Sequence, residues 1–118
     1  MSDNIYWVLE LAIKPGEADN FKAVMGDMIE ATDKEPGALN YEWTFSADGG
    51  TCHIYERYAD SAATLAHLGT FGANFAERFL AAADPTRFTV YGNPSDEVRG
   101  ALDGFGAVYM TPTAGFVR

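Results

Sequence analysis

The chain has 118 residues, a usual size for a single domain, so we expect one hydrophobic core. Seventeen acidic and eight basic residues give a net charge of −9, which disfavours nucleic acid and anionic membrane surfaces as partners. The one cysteine, Cys52, excludes an internal disulfide, and the chain shows neither a basic leader nor an apolar run of spanning length. These features predict a cytoplasmic protein without a membrane partner.

The first third of the chain shows a strand pattern and then a helix pattern. Apolar residues at every odd position from Ile5 to Ile13 predict a strand. After a break at Lys14-Pro15-Gly16, apolar residues recur every three or four positions from Phe21 up to Lys34, as in an amphipathic helix. Glu35-Pro36-Gly37 should end this helix, because the residue before a proline disfavours helical geometry.

A hairpin is predicted next. Apolar and polar residues alternate from Leu39 to Phe45, and the turn residues 47–50 lead into a strand from Thr51 to Tyr58. If the even positions of this second strand face the helices, Glu56 and Tyr58 should lie beneath the following helix.

A second helical region and a fourth strand follow. Asp60 should cap a short helix from Ser61 to Leu68, which Gly69 should interrupt. Phenylalanines then recur at every fourth position of a helical segment that ends at Ala83: Phe71, Phe75 and Phe79. The Asp84-Pro85 pair should stop this segment, and residues 87–92 read as a strand.

The element order β-α-β-β-α-β predicts an α+β ferredoxin-like domain in residues 1–93, with a four-stranded antiparallel sheet and both helices on one face. Residues 94–118 form a predicted C-terminal arm with a helix from Ser95 to Leu102 and a strand from Ala107 to Thr111. Several apolar side chains should lie on the bare sheet face: Tyr6, Val8, Tyr55 and Tyr91. We therefore expect a homodimer that stacks two sheets, with the arm packing on the partner.

Three segments carry a resemblance to a known family. Residues 35–42 read E-P-G-A-L-N-Y-E, residues 54–60 read I-Y-E-R-Y-A-D, and His67 follows on the next helix. Over residues 5–93 the chain resembles the antibiotic biosynthesis monooxygenase-like family. The resemblance implies a dimeric α/β barrel and, as function, cofactor-independent monooxygenation of a small aromatic, phenolic or quinol compound.

Departures from family patterns narrow the choice among the activities found in this family. The oxygenases that form polyketide quinones carry N-Y-x-x-W on the third strand, where this chain has Ile54 and Tyr58. Their helix arginine corresponds to Arg78. Heme-degrading members carry an asparagine and an iron-ligating histidine where this chain has Leu9 and Glu77, so the resemblance disfavours heme cleavage.

Two alternative functions remain open. Members that isomerise a small sugar-like signal metabolite share a pattern with this chain: Tyr55, Glu56, Tyr58, Asp60 and His67. Their phosphorylated substrate fits an acidic chain poorly. The other alternative is a non-catalytic small-molecule-binding protein.

His67 is the candidate general base, with Glu56 to orient it and Tyr58 and Arg78 as possible donors to the substrate. A purely structural His67–Glu56 pair is the other interpretation. Aromatic residues should line the space between sheet and helices and bind an aromatic ligand, or else form ordinary core: Trp7, Tyr41, Trp43, Phe71 and Phe75. The sequence shows no cluster of metal-ligand residues, so we expect no metal, and the resemblance implies a protein without a cofactor.

Overall fold

Helices cover one face of a single β-sheet in residues 2–118, which are the residues that the computed structural model describes. The elements in chain order are β1 (Ile5–Ile13), α1 (Ala18–Asp33), β2 (Ala38–Phe45), β3 (Thr51–Tyr58), α2 (Ser61–Asn74), α3 (Ala76–Ala82), β4 (Ala83–Tyr91), α4 (Asp96–Asp103) and β5 (Val108–Met110). Within these residues no helix has both the length and the apolar character needed to cross a lipid bilayer.

The sheet has five strands in the order β2-β3-β1-β4-β5. The first four pair antiparallel in the ferredoxin-like arrangement, which confirms the predicted α+β class. The prediction of a four-stranded antiparallel sheet is wrong, because β5 pairs parallel to β4, with Val108 opposite Thr89. Without β5, the outer backbone groups of β4 would lack partners, and the α4 crossover returns the chain in the direction that parallel pairing needs.

The second helical region breaks at Phe75 rather than at Gly69. Helix α2 runs through Gly69 to Asn74, and Phe75 takes the non-helical angles φ −129° and ψ −24°. A single glycine costs a helix only about 1 kcal/mol relative to alanine, so tertiary packing overrides it. The break changes the helix direction before Phe79, which is buried in the core.

Strand β4 begins at Ala83, four residues earlier than predicted. The Asp84-Pro85 pair lies inside this strand, where Pro85 is opposite Leu11 of β1. The register shifts beside this position, between Glu10 and Leu11, and an irregularity of this kind tolerates a proline that lacks a donor N–H.

Two predicted helix caps are confirmed. The Asp60 carboxylate accepts a hydrogen bond from the Ala63 N–H at 2.8 Å, and the Ser95 hydroxyl accepts one from the Val98 N–H at 3.2 Å. Such caps satisfy N–H groups that the first helical turn leaves without partners. The cap at Asp60 fixes where α2 starts on the sheet.

The hydrophobic core consists of two clusters. The first lies between α1, α3 and the sheet, and it includes Phe21, Ile54 and Phe79. The second lies under α2 and α4, and its buried members are Ile5, Trp7, Tyr58, Phe88, Val90, Val98 and Leu102. Because α4 contributes two of these residues, the predicted C-terminal arm packs into the core of its own chain. A second contact of the arm with a partner remains a prediction.

Gly37 allows α2 to approach the start of β2. A Cβ atom at residue 37 would overlap the Cβ of Ala63, and the Gly37 carbonyl accepts a hydrogen bond from the Ala59 N–H at 2.9 Å. Ala63 lies one helical turn before His67, so this close contact also sets the distance between His67 and the sheet.

We expect Gly37→Ala to lower the free energy of unfolding by about 1–3 kcal/mol, because neither backbone can yield easily. Urea denaturation would measure the change. Gly26→Ala is the matched control. A Cβ added at residue 26 would have no atom within 4 Å, and alanine is favourable inside α1, so the free energy of unfolding should stay the same or rise. Combining Gly37→Ala with Ala63→Gly should restore part of the loss. An unchanged stability in Gly37→Ala would contradict the packing argument.

Candidate active site

A small apolar cavity of about 40 Å³ lies between the sheet and the helices. Its floor comes from four strands and includes Trp7, Leu9, Tyr41, Ile54, Glu56 and Phe88. Its roof comes from the helices and includes Met28, His67, Leu68, Phe71, Phe79 and Leu102, with Phe105 beside them. Apart from Glu56 and His67, the cavity wall is made of apolar and aromatic residues.

His67 lies between two carboxylates. Its Nε2 is 3.2 Å from Glu56 Oε1, and its Nδ1 is 3.2 Å from both carboxylate oxygens of Glu35. The Tyr58 hydroxyl donates a hydrogen bond to the same Glu56 oxygen at 2.5 Å. We call these four residues, Glu35, Glu56, Tyr58 and His67, the acid–base cluster.

The chain brings the acid–base cluster together from three directions. Residues at alternate positions of a strand share a face, so Glu56 and Tyr58 both point from β3 toward the helices. The capped start of α2 places His67 above them. Glu35 follows the end of α1, where its N–H donates to the Thr32 carbonyl at 2.9 Å, and this turn points its carboxylate at the imidazole.

The positions of the two carboxylates favour a protonated His67. Burial alone would lower the pKa of His67, but the hydrogen bonds and negative charges of Glu56 and then Glu35 outweigh it and raise the pKa above its ordinary value of 6.5. A neutral imidazole would turn one lone pair toward a carboxylate, whereas an imidazolium offers an N–H to each. The contacts of the cluster therefore favour the protonated form of His67.

Tyr58 is a fixed hydrogen-bond donor in this cluster. Burial and then the charge of Glu56 raise its pKa above its ordinary value of 10, so the hydroxyl is protonated near neutral pH. Its ring also packs against His67 with 4.7 Å between the centroids. Tyr58 has no exposed surface, so it acts on the cavity through Glu56.

The structure brings together most of the predicted site residues. Glu56, Tyr58 and His67 are in contact as expected, and Trp7, Tyr41 and Phe71 line the cavity. Trp43 and Phe75 instead pack at the edge of the first core cluster. These two aromatic residues do not line the cavity, so they are not positioned to contact a ligand there.

Arg78 lies away from the cavity, contrary to the expectation that it faces the substrate. Its guanidinium donates to the Asp27 carboxylate at 2.9 Å, and half of its side chain is exposed. Helix α3 begins after the break at Phe75, and it turns Arg78 toward α1 while Phe79 enters the core. Within residues 2–118, the cavity wall contains no lysine or arginine.

Sequence reasoning missed two parts of the site. The sequence places Glu35 at a helix end and at the start of the segment that carries the family resemblance, but predicts no role for it in the site. Leu102 and Phe105 come from the predicted arm, whose residues were not expected to contact the cavity. Among residues 2–118, no group of three or more His, Cys, Asp or Glu side chains is arranged to hold a metal ion.

Comparisons with known proteins identify relatives of this chain. The family model described as antibiotic biosynthesis monooxygenase matches residues 4–73, which include all four members of the acid–base cluster. No curated protein matches the sequence significantly. The similarity is to the family model and to solved structures.

Three solved structures illustrate the similarity. MupZ from Pseudomonas fluorescens is 29% identical with a TM-score of 0.88, and the match covers 100% of this chain and 91% of that one. A candidate antibiotic biosynthesis monooxygenase from Caulobacter crescentus is 27% identical with a TM-score of 0.68, over 80% of this chain and 92% of that one. SnoaB from Streptomyces nogalater, a cofactor-independent oxygenase, is 14% identical with a TM-score of 0.67, over 80% and 96%, which shows the fold alone.

We expect the imidazole signals of His67 in an NMR titration to change at a pH above 6.5. Glu35→Gln should lower that midpoint, because it removes one of the two negative charges. His53→Gln identifies the second set of histidine signals. A His67 midpoint below 6.5 in the wild-type protein would contradict the raised pKa.

The same shift has a consequence for stability. Because the folded pKa is raised, the stabilisation by charged His67 is complete below about pH 6.5 and is lost as the pH rises through the folded pKa. Urea denaturation should therefore show the stability advantage of the wild type over His67→Gln shrinking across that range. An advantage that grows with pH would mean that His67 is buried as a neutral side chain.

Proposed function

The chain belongs to the antibiotic biosynthesis monooxygenase family, and on this premise we propose that it is a cofactor-independent monooxygenase of a small, uncharged phenol or quinol. The observation that carries the proposal is a buried acid–base cluster that presents a carboxylate to an apolar, aromatic-lined cavity. SnoaB, a cofactor-independent oxygenase, has the same fold, which supports the reaction class.

The proposed reaction requires that the enzyme remove a proton. A phenol that loses its O–H proton becomes an electron-rich anion, which donates electrons to O₂ and forms a C–O bond at a ring carbon. Loss of the hydrogen on that carbon and cleavage of the O–O bond then give a quinone and water. One oxygen atom of O₂ becomes the new carbonyl and the other leaves as water, so the substrate supplies all the electrons.

The residues of this chain would supply binding, proton transfer and exclusion of water. Trp7, Tyr41 and Phe71 offer aromatic surfaces on which a flat ring can pack. The acid–base cluster offers the proton acceptor, and the apolar wall strengthens electrostatic interactions because it excludes water. Arg78 does not serve as a hydrogen-bond donor to the substrate in this proposal, because its guanidinium pairs with Asp27.

The cavity must widen to admit a substrate. Its volume of about 40 Å³ is far below the roughly 300–1,000 Å³ of typical ligand sites. Phe105 is 36% exposed and packs edge-on against Phe71 and Phe88, with centroids 6.3 Å and 6.5 Å away. We expect this ring to move when a ligand enters, because it lies at the outer side of the cavity and follows the end of α4.

The isomerase alternative has less support. A phosphorylated sugar-like substrate needs cationic side chains or free backbone N–H groups near its phosphate. The cavity wall in residues 2–118 lacks lysine and arginine, and the acid–base cluster carries a net negative charge. Both features favour an uncharged substrate.

The proposal also includes a homodimer, the usual state of this family. The helix-free face of the sheet carries a Tyr6–Tyr91 stack with centroids 5.2 Å apart, and the exposed Val108 and Met110 extend this surface. Stacking this face against a second copy would remove its apolar area from water.

We expect the purified protein to consume O₂ with at least one member of a panel of hydroquinones and naphthols, at one O₂ per quinone formed. His67→Gln should slow turnover by roughly 10²-fold or more, since it disrupts the proton-accepting cluster. His53→Gln is the matched control, because His53 pairs with Glu10 on the helix-free face. Ligand binding without turnover would indicate a binding protein, and product formation without O₂ would indicate an isomerase.

We expect light scattering after size-exclusion chromatography to give twice the mass of one chain. Met110→Glu should shift the protein toward a monomer, because it places a charge on the apolar face at a residue that is 51% exposed. Ile29→Glu on α1, where the side chain is 40% exposed, should leave the dimer intact. A wild-type monomer at micromolar concentration would contradict this part of the proposal.

A further inference from the structure

The two oxygen atoms of the Glu56 carboxylate differ in their surroundings among residues 2–118. Its Oε1 accepts the Tyr58 hydrogen bond and lies beside His67, whereas its Oε2 has no hydrogen-bond donor among residues 2–118. Glu56 is only 5% exposed and lines the cavity. Each carboxylate oxygen can accept hydrogen bonds, and Glu56 lines the cavity, so a ligand in the cavity can approach Oε2.

We infer that Oε2 of Glu56 is the atom that accepts the substrate's proton, and that His67 is a cationic positioning residue instead of the base. The inference rests on the proposed function, because it names the base of that reaction. In this step the O–H bond of the substrate breaks, a bond from hydrogen to Oε2 forms, and the electron pair stays on the substrate oxygen.

The geometry around His67 leaves it no free nitrogen for the substrate. Glu35 occupies Nδ1 and Glu56 occupies Nε2, each at 3.2 Å. Its ring is also held by Tyr58 and Tyr41, with centroids 4.7 Å and 5.7 Å away. A general base must direct a lone pair at the proton that it removes, and His67 cannot do so without leaving a carboxylate.

The charge of the acid–base cluster defines the class of substrate. With both carboxylates ionised and His67 protonated, the cluster carries −1 before the reaction and becomes neutral when Oε2 accepts a proton. An anionic substrate would be repelled in a site with no lysine or arginine in its wall. The substrate is therefore an uncharged molecule with a weakly acidic O–H on a flat apolar body.

The two possible bases predict opposite pH profiles. The groups that face His67 are Glu35 from the turn after α1, Tyr41 from β2, and Glu56 and Tyr58 from β3. If His67 must stay protonated to hold Oε1, turnover falls as the pH rises through the pKa of His67. If His67 were the base, turnover would instead rise across the same range.

Glu35→Gln separates these cases further. The variant lowers the pKa of His67, so the pH at which turnover falls should move to lower values. A His67 base would show its rise in activity at a lower pH instead. Either profile that rises with pH through the His67 titration would overturn the inference.

Substitution of the accepting atom gives the direct test. Glu56→Gln should reduce turnover about 10²–10⁴-fold, the usual effect of losing a positioned base. Glu42→Gln is the matched control: Glu42 lies on the neighbouring strand with an exposed side chain, on the opposite face from Tyr41, and turnover should not change. Circular dichroism and the Tm would show whether each variant folds. Retention of wild-type turnover by folded Glu56→Gln would overturn the inference.

A probe that needs no oxygen separates this inference from the proposed function. We would titrate 4-nitrophenol into the protein in a buffer acidic enough to keep the free probe neutral, and record the absorbance of its phenolate. The wild type and Glu42→Gln should bind it as the phenolate, whereas Glu56→Gln should bind it as the neutral phenol. A phenolate signal with no O₂ consumption by any substrate would support the base and reject the oxygenase. A phenolate signal that persists in Glu56→Gln, or no binding by any protein, would reject the base.

Discussion

The contact of the buried His67 ring with two carboxylates is the interaction on which the rest of this structure depends. Charges in an apolar core are unfavourable unless each one has close partners of opposite sign. The chain supplies these partners from three separate segments: the turn after α1, strand β3 and helix α2. The close Gly37–Ala63 approach and the Asp60 cap position α2 so that the three segments meet. The local geometry of the turns therefore serves an electrostatic requirement.

The same arrangement leaves the core divided. One cluster of buried residues lies under α1 and α3, a second lies under α2 and α4, and the cavity lies between them. Leu9 packs against both clusters and also lines the cavity. Protein interiors are normally filled by side chains. The unfilled cavity beside the acid–base cluster is therefore the place where packing is less complete and a ligand can bind.

Much of the fold and part of the candidate site could be predicted from local sequence patterns. The alternation in β3 predicted that Glu56 and Tyr58 share a face, and the Asp60 cap fixed the start of α2, so the contact with His67 followed from short-range geometry. The parallel pairing of β5 was missed because no turn signal connects parallel strands. Arg78 was misplaced because the helix break at Phe75 depends on tertiary packing. Glu35 was missed because its partner lies 32 residues away and its neighbours suggested only a helix end.

The C-terminal segment has a consequence for how the site forms during synthesis. Every member of the acid–base cluster precedes residue 68, yet Leu102 and Phe105 complete the cavity wall. A growing chain that has emerged only as far as β4 lacks the side chains of Val98, Leu102 and Phe105, which complete the second core cluster and the cavity wall. The segment after β4 supplies residues that close this side of the cavity, so the wall is complete only once residue 105 has been synthesised. A premature stop after β4 would thus remove part of the apolar wall that keeps water from the acid–base cluster and strengthens its electrostatic interactions.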